Sequence, residues 1–177
     1  MTSPTALPSA AHARRSSPLV RVVEAAIALC RRIPHSLVAF IGRFSIAAVF
    51  WKSGQTKVEG FVIDLIDGQF NLGWPRLSDS ALALFKDEYR LPLISPEIAA
   101  PMAAFAEHAL PLLILLGLGT RFSALGLLVM TLVIQVFVYP GAYPTHGVWA
   151  TVLLYLIAKG PGVMSVDHLL ARRHRQA

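Results

Sequence analysis

Seven polar or ionisable side chains lie within or beside long apolar segments of this 177-residue chain: Arg43, Lys52, Lys57, Glu107, His108, Gln135 and His146. A charged side chain at the centre of a bilayer costs about 2.5–3.5 kcal/mol on insertion scales, so it needs a partner or a water-filled cavity. Residues of this kind often mark proton or substrate paths. We therefore take these seven as the candidate polar cluster, with either a functional or a structural role.

Arg43 and Glu107 are the first pair that the sequence suggests. With a cytoplasmic N-terminus, Arg43 lies slightly on the cytoplasmic side of the first segment's midpoint, and Glu107 lies near the middle of the second. Two antiparallel helices would bring these opposite charges close together. We expect an ion pair between them, which could be functional or could only hold the helices together.

The outer halves of the segments carry the remaining polar groups. Lys52 lies nine residues after Arg43, which places it on the opposite side of the same helix. Together with Gln55, Gln135 and His146 it could line a small polar vestibule that opens to the periplasm. The alternative for Lys52 and Lys57 is that their ammonium groups reach the membrane rim.

His108 follows Glu107 directly, so its side chain points about 100° away around the helix. Its imidazole could transfer protons near neutral pH, or it could be a packing residue held by hydrogen bonds. The sequence has no HExxH, CxxC or clustered carboxylates, so we predict no bound metal. Cys30 is the single cysteine, which excludes a disulfide within one chain.

The composition indicates that the apolar segments face lipid. Hydrophobic residues make up 55% of the chain and charged residues 15%, and the mean hydropathy is +0.58. A soluble domain usually has about 25% charged residues. The net charge of +6 is concentrated in residues 1–35 and 159–177, whereas residues 59–97 are acidic. This pattern favours a multi-pass protein of the inner membrane with both termini cytoplasmic, and it makes nucleic acid a poor partner.

The segments that carry the candidate polar cluster are all predicted to be helices, so we expect an all-α fold. We expect a four-helix transmembrane bundle, with spans at about 37–58, 98–118, 122–139 and 145–160 in a membrane domain over 36–170. The fourth segment is short, so it could be re-entrant instead. The loop 59–97 should be extracytoplasmic, with one short helix from Ser78 to Tyr89 that Ser78 caps.

The two ends of the chain have different compositions. Residues 1–17 are rich in Ser, Pro and Ala, which predicts a disordered cytoplasmic arm. Residues 18–35 predict a basic amphipathic helix on the inner leaflet, or a cytoplasmic extension of the first span. Residues 171–177 are predicted to be a basic cytoplasmic tail.

Three motifs resemble the DoxX family of small bacterial inner-membrane proteins. The segment 43-RFSIAAVFWKSGQTK-57 is similar to its opening helix, in which Arg, Phe, Gly and Lys recur at the spacing of Arg43, Phe50, Gly54 and Lys57. The segment 107-EHALPLLILLGLGTR-121 is similar to its Glu-to-Gly segment, which is followed by Thr-Arg. The segment 160-GPGVMSVDHLL-170 resembles a common family ending with Gly, Ser and Asp, so the resemblance covers about residues 38–170.

The resemblance implies a four-helix membrane bundle associated with redox processes. The loop sequence WPRLSDSALALFKDEYRLPL and the segment 137-FVYPGAYPTHGVWA-150 resemble a subgroup encoded beside maturation enzymes of copper-binding ribosomal peptides. No catalytic residue can be carried over from the family, so Arg43, Lys57 and Glu107 match positions without assigned roles.

Three functions remain open from the sequence. The first is an accessory protein of a redox or metal-stress system, which anchors a partner protein of a redox or peptide-maturation system or handles a quinone. Such a protein would be a subunit of a membrane oxidoreductase complex rather than an autonomous enzyme. The second is a small proton-coupled carrier or exporter. The third is a structural scaffold in which the buried charges only fix helix register.

Overall fold

The computed structural model describes residues 17–64 and 68–176, which fall into two units. The first, within residues 17–34, contains one helix, α1 (Pro18–Cys30). The Ser17 hydroxyl accepts a hydrogen bond from the Val20 N–H, and Pro18 occupies the first helical position, where its missing N–H costs nothing. A helix was predicted over residues 18–35. The observed helix begins at Pro18 and ends at Cys30, and none of its residues is buried. The predicted disordered arm lies outside the described residues except for Ser17.

The second unit contains four apolar helices that pack around one core. They are α2 (His35–Gln55), α4 (Pro96–Leu116), α5 (Thr120–Val133) and α6 (Tyr143–Lys159). Helix α2 packs against α4 and α6, and α5 packs against the same two helices. The buried side chains that fill the centre are mainly aliphatic, with Phe50 the largest, and they include Ile46, Ile114, Leu127, Leu153 and Leu156.

Three helical segments are long and apolar enough to cross a membrane: His35–Gln55, Pro96–Leu116 and Thr120–Val138. The third consists of α5 and the π-helical turn Ile134–Val138. Each lies within a few residues of a predicted span. Helix α6 occupies the fourth predicted segment and follows a short 3-10 turn, Pro140–Ala142, but it has 17 residues.

The segment between α2 and α4 differs from the prediction of an all-α chain, because it contains a β-hairpin. Strand β1 (Val58–Asp64) pairs antiparallel with β2 (Gln69–Leu77). Two side chains of α2 form hydrogen bonds with the hairpin backbone: the Trp51 indole donates to the Ile63 carbonyl at 3.1 Å, and Gln55 Oε1 accepts from the Ile63 N–H at 2.8 Å. We call this end of the bundle, where α2 ends and α4 begins, the hairpin end.

A short helix follows the hairpin. Helix α3 (Asp79–Leu84) continues into a π-helical turn, Phe85–Tyr89. The Ser78 hydroxyl accepts from the Ala81 N–H at 3.1 Å, so the predicted cap is present. Phe85 packs against Ala99 and Ala100 of α4, which attaches this helix to the bundle.

Helix α7 (Val166–Gln176) lies at the opposite end, which we call the α7 end. The basic tail predicted over residues 171–177 overlaps this helix as far as Gln176. Its first turn is fixed by Ser165, whose hydroxyl accepts from the His168 N–H at 3.2 Å.

Candidate functional site

A buried ion pair lies at the hairpin end. Lys57 Nζ is 2.7 Å from Glu107 Oε2, and the two side chains are 4% and 3% exposed. Ser53 Oγ donates to Glu107 Oε1 at 3.2 Å, and Lys57 Nζ also donates to the Ser53 carbonyl at 3.2 Å. The carboxylate is therefore held by Ser53 of α2 and by Lys57, two residues after the end of that helix. Because Lys57 is buried, the alternative in which it reaches the membrane rim is wrong.

The predicted Arg43–Glu107 ion pair is also wrong, because the register of α2 and α4 separates the two residues. Gly54 lies against Glu107 and His108: a Cβ on residue 54 would be 3.1 Å from Glu107 Cβ. Arg43 is eleven residues earlier on α2, which corresponds to about 16 Å along the helix. It lies opposite Gly117 at the α7 end instead.

His108 belongs to a directed chain of hydrogen bonds. Its Nδ1 lies 2.7 Å from the Ala104 carbonyl, which can only accept, so Nδ1 carries a proton. Its Nε2 lies 2.8 Å from Gln55 Nε2, and Gln55 Oε1 accepts from the Ile63 N–H. The Gln55 amide nitrogen therefore donates, and His108 Nε2 accepts. This network assigns a neutral imidazole with its proton on Nδ1.

Gly54 makes this arrangement possible. A Cβ on residue 54 would lie 2.8 Å from His108 Cε1 and 2.9 Å from His108 Nδ1. The imidazole thus occupies the space that a side chain on α2 would fill. Trp51 packs edge-on against the same ring, with 5.1 Å between the ring centroids.

A groove of about 530 Å³ opens between α2, α4 and β1. Most of its lining is apolar, and Phe44, Leu112 and Leu115 are substantially exposed towards the surroundings. The remaining groove residues lie mainly towards the hairpin end, and those that matter below are Ala48, Trp51, Lys52, Gln55 and Asp64.

The polar end of the groove carries a loose ion pair. Lys52 Nζ lies 3.8 Å from Asp64 Oδ2, and its side chain is 58% exposed. Gln55 lies beside it, and its amide nitrogen has a second N–H beyond the one that it donates to His108. An ammonium and an amide N–H therefore lie at one end of an otherwise apolar groove.

The four residues of the predicted vestibule lie in two separate places: Gln135 and His146 in one, and Lys52 and Gln55 in the other. Gln135 Oε1 accepts from His146 Nδ1 at 2.7 Å, and Gln135 Nε2 donates to the Pro140 carbonyl at 2.6 Å. His146 is buried and packs against Trp149. Within the described residues no hydrogen bond or ion pair joins these two side chains to Lys52 or Gln55. A single four-residue vestibule is therefore not formed.

Arg43 is buried at the α7 end without a carboxylate in contact. Its Nη2 donates to the Met164 carbonyl at 2.6 Å, whereas its Nε and Nη1 have no hydrogen-bond partner among the described residues. The guanidinium lies against Gly117, where any Cβ would clash with Nη1.

The carboxylate that acts electrostatically on Arg43 is that of Asp167, and it already accepts two hydrogen bonds from the backbone. Asp167 Oδ1 accepts from the Gly119 N–H at 2.8 Å, and Oδ2 accepts from the Thr120 N–H at 3.0 Å. These are the free N–H groups at the start of α5, which a carboxylate stabilises. Asp167 attracts the guanidinium through space while it caps the helix.

Two tyrosines connect the π-helical turns at the hairpin end. The Tyr139 hydroxyl donates to Glu88 Oε1, and the Tyr89 and Tyr139 rings meet edge-on at 5.9 Å. The hydrogen bond to Glu88, aided by burial, raises the pKa of the Tyr139 phenol. Burial is the main cause that raises the pKa of Tyr89. Both phenols therefore lose their protons at a higher pH than a free tyrosine does.

Sequence reasoning missed several residues of these sites. Ser53, Trp51 and Ala48 lie on α2 near the predicted cluster, and the Asp of the family-like ending, Asp167, was not assigned its capping role. A signal existed for the groove, because Phe44, Ala48, Trp51 and Gln55 follow one another at four- and three-residue steps along one helix face. Among the described residues no group of three or more His, Cys, Asp or Glu side chains could hold a metal.

The three long apolar helices and the ionised groups buried between α2 and α4 define a helical membrane protein. The sequence model of the DoxX family matches residues 38–140, which is more than half of the chain, so the chain belongs to the DoxX family. The matched region contains the Lys57–Glu107 pair, His108 and the groove. Neither the curated proteins nor the solved structures contained a match to the chain.

Proposed function

We propose that this DoxX-family protein is an accessory protein of the bacterial inner membrane that binds a quinone-like small molecule for a redox or metal-stress system. The observation that carries the proposal is the groove between α2 and α4. At about 530 Å³ it lies within the range of small-molecule sites, which are mostly apolar with a few polar groups that fix orientation.

The shape of the groove suits a ring with an apolar tail. Along α2 it extends from Phe44 to Thr56, which corresponds to about 18 Å of helix. Phe44, Leu112 and Leu115 are exposed on the surface that would face lipid. A molecule dissolved in the bilayer could therefore enter sideways, without passing through water.

The polar end supplies the contacts that a quinone carbonyl needs. A carbonyl oxygen only accepts hydrogen bonds, and the Lys52 ammonium and the Gln55 amide N–H are donors. Gln55 is held in place by His108 and by the Ile63 N–H, so its amide is oriented before a ligand arrives. Preorganised donors reduce the entropy that binding costs.

The topology that we propose has four spans with both termini in the cytoplasm. Helix α6, with 17 residues, is about 26 Å long. That length is close to the hydrocarbon thickness of about 30 Å, and a small mismatch is tolerated by local thinning and by snorkelling of Lys159. The basic charge at both ends of the chain supports this orientation.

The accessory role also requires a partner protein. Strand β2 exposes Phe70, Leu72 and Trp74, and Trp74 is 83% exposed. This apolar strand at the hairpin end is a suitable anchoring surface. We propose that the partner belongs to a redox system or to the maturation machinery of copper-binding peptides, in keeping with the subgroup that the loop sequence resembles.

Binding can be tested with ubiquinone-1 and the purified full-length protein in lipid nanodiscs. Trp51 lines the groove, so a bound quinone should quench its fluorescence. Ala48→Phe should fill the groove and weaken binding by about tenfold or more, equivalent to about 1.4 kcal/mol. Lys52→Met should weaken binding less, because Gln55 still donates.

Matched controls place the same changes outside the groove. Ala83→Phe adds the same side chain at an exposed alanine of α3, and Lys86→Met removes an exposed lysine. Neither should alter the affinity. Equal quinone affinity of wild type, Ala48→Phe and Lys52→Met would reject the proposal.

A second candidate is a proton-coupled carrier, which the buried Lys57–Glu107 pair favours. A charge pair at membrane depth can mark a proton path. In that case Glu107→Gln would abolish proton-driven uptake in proteoliposomes while the protein still accumulates in the membrane. If ligand binding is unchanged in Ala48→Phe and Lys52→Met, and uptake is unchanged in Glu107→Gln, the Lys57–Glu107 pair only fixes the register of the helices.

A further inference from the structure

Helix α7 has one face that nothing in its own unit covers. Leu169 and Leu170 are 58% and 45% exposed, and Met164, just before the helix, is 62% exposed. Val166, Leu169, Leu170 and Arg173 recur at three- and four-residue steps, so they form one stripe along the helix. An exposed apolar stripe of this kind usually marks a surface that contacts a protein, a ligand or a membrane.

Cationic groups lie beside the same stripe. A shallow depression along α7 is lined by Val166, Leu169, Leu170, Arg172 and Arg173, which brings aliphatic side chains and guanidinium groups together. Arg121 and Lys159 are exposed at the same end of the bundle. The single acidic residue of residues 159–177 is Asp167, and its carboxylate is occupied by the N–H groups of α5.

The start of α7 is fixed at the level where the membrane helices end. The Asp167 N–H donates to the Gly117 carbonyl at 2.9 Å, at the turn between α4 and α5. The preceding segment contacts the start of α2, because the Val163 N–H donates to Ser36 Oγ at 3.1 Å. Helix α7 therefore leaves the bundle at a depth where lipid headgroups would surround it.

We propose that α7 is an interfacial helix that binds the anionic phospholipid surface of one leaflet. The aliphatic stripe enters the boundary between headgroups and acyl chains, and Arg172 and Arg173 contact lipid phosphates. Each basic side chain near an anionic surface adds to the electrostatic attraction, so several of them at one end bias the protein towards that leaflet. This role is independent of ligand binding in the groove.

A membrane fits this surface better than a protein partner does. Arg172 and Arg173 follow the aliphatic residues Val166, Leu169 and Leu170 and line the same depression. An aliphatic surface that is continued by long cationic side chains can lie flat at an interface. The same arrangement is typical of helices that lie in the plane of the headgroups, whereas the apolar centre of a protein–protein interface is usually depleted of charge.

The chain is well suited to a labelling test, since Cys30 is its single cysteine. In a Cys30→Ser background, Leu169→Cys places a nitroxide label on the stripe, and Ala171→Cys places one about 200° away on the other side. The full-length protein is reconstituted into vesicles of phosphatidylcholine alone or mixed with phosphatidylglycerol. Accessibility to oxygen and to a nickel chelate then reports the depth of each label.

We expect the label at residue 169 to favour oxygen and the label at residue 171 to favour nickel, with a larger difference when phosphatidylglycerol is present. Arg172→Gln combined with Arg173→Gln should remove the added effect of phosphatidylglycerol. The control Arg76→Gln combined with Lys86→Gln removes two exposed cations at the hairpin end and should leave it unchanged.

Two results would overturn the proposal. Ready access of nickel to residue 169 in both kinds of vesicle would place the stripe in water. Protection of residue 169 from both oxygen and nickel would show that a protein surface covers it. The quinone titration of the same variants is expected to match wild type, so failure here is distinguishable from failure of the groove to bind a ligand.

Discussion

The two ends of the bundle bury a cation in different ways. At the hairpin end Lys57 contacts a carboxylate, and Ser53 completes the surroundings of both groups. At the α7 end Arg43 donates to a main-chain carbonyl, and two of its nitrogens have no partner in the described part of the chain. A buried charge can thus be held by a counter-ion, or by backbone carbonyls where helices end.

The difference has an energetic consequence. Removing one member of a buried ion pair leaves the other charge unpaired, which costs more than removing an isolated cation that was already poorly satisfied. The hairpin end should therefore be more sensitive to single substitutions than the α7 end, even though both cations are buried.

The largest effect is expected from breaking the ion pair. Lys57→Met should lower the free energy of unfolding by about 3–5 kcal/mol, because it leaves the Glu107 carboxylate unpaired in the bundle. The double variant Lys57→Met/Glu107→Leu should recover most of that loss. Unfolding in mixed detergent micelles measures both values.

The exposed pair Lys52–Asp64 provides the control for this prediction. Lys52→Met should change the unfolding free energy by less than about 1 kcal/mol, because the ammonium is solvated. Additive losses in the Lys57/Glu107 double variant would mean that the two residues do not act as a pair.

The next effect is expected at Arg43. Arg43→Met removes the hydrogen bond to the Met164 carbonyl and should cost about 1.5–3 kcal/mol, which is less than the pair. Hydrogen exchange should become faster in residues 160–170 and stay unchanged in the hairpin 58–77. A loss of stability larger than that of Lys57→Met would reverse the comparison.

A smaller effect is expected where α2 and α4 approach each other. Gly54→Ala places a Cβ 2.8 Å from His108 Cε1 and should cost about 1–3 kcal/mol through overpacking. Gly147→Ala is the matched helical control, because its nearest non-neighbouring atom is 3.9 Å away. That variant should be neutral or slightly stabilising, since alanine favours helix. Equal behaviour of the two variants would show that His108 can move without cost.

The smallest effect concerns the phenols at the hairpin end. The raised pKa of Tyr139 means that the folded chain keeps a proton which the unfolded chain loses near pH 10. Its contribution to stability is therefore complete below about pH 10 and disappears as pH rises through the folded-state pKa. Spectrophotometric titration should show one fewer late-ionising phenol in Tyr139→Phe. If the phenol that this substitution removes ionises near pH 10 instead, the Tyr139–Glu88 hydrogen bond is contradicted.

The sequence predicted the three long apolar helices, because hydropathy depends on composition and not on packing. The helix that follows Ser78 was also predictable, since its cap is local. The hairpin was missed: the β-branched residues Val58, Val62 and Ile63 favour a strand, but its attachment to α2 depends on tertiary contacts such as those of Trp51 and Gln55.

The sequence named several buried polar residues of the bundle but not the partners that they contact. Lys57, Glu107 and His108 were named, yet Arg43 was assigned to Glu107 because the register between two helices cannot be derived from their separate midpoints. Gly54 sets that register, and its role depends on a close approach that only the three-dimensional structure shows. The separation of Gln135 and His146 from Lys52 has the same origin in helix packing.

Photo-crosslinking with an azido-quinone in native membranes tests the central claim most directly. If the α2–α4 groove binds a quinone-like molecule, the label should attach to peptides that contain residues 44–56 or 111–115, and excess unlabelled quinone should prevent it. Ala48→Phe should remove the label from both peptides. Labelling that is distributed over α5 and α6, or that persists in Ala48→Phe, would contradict the account.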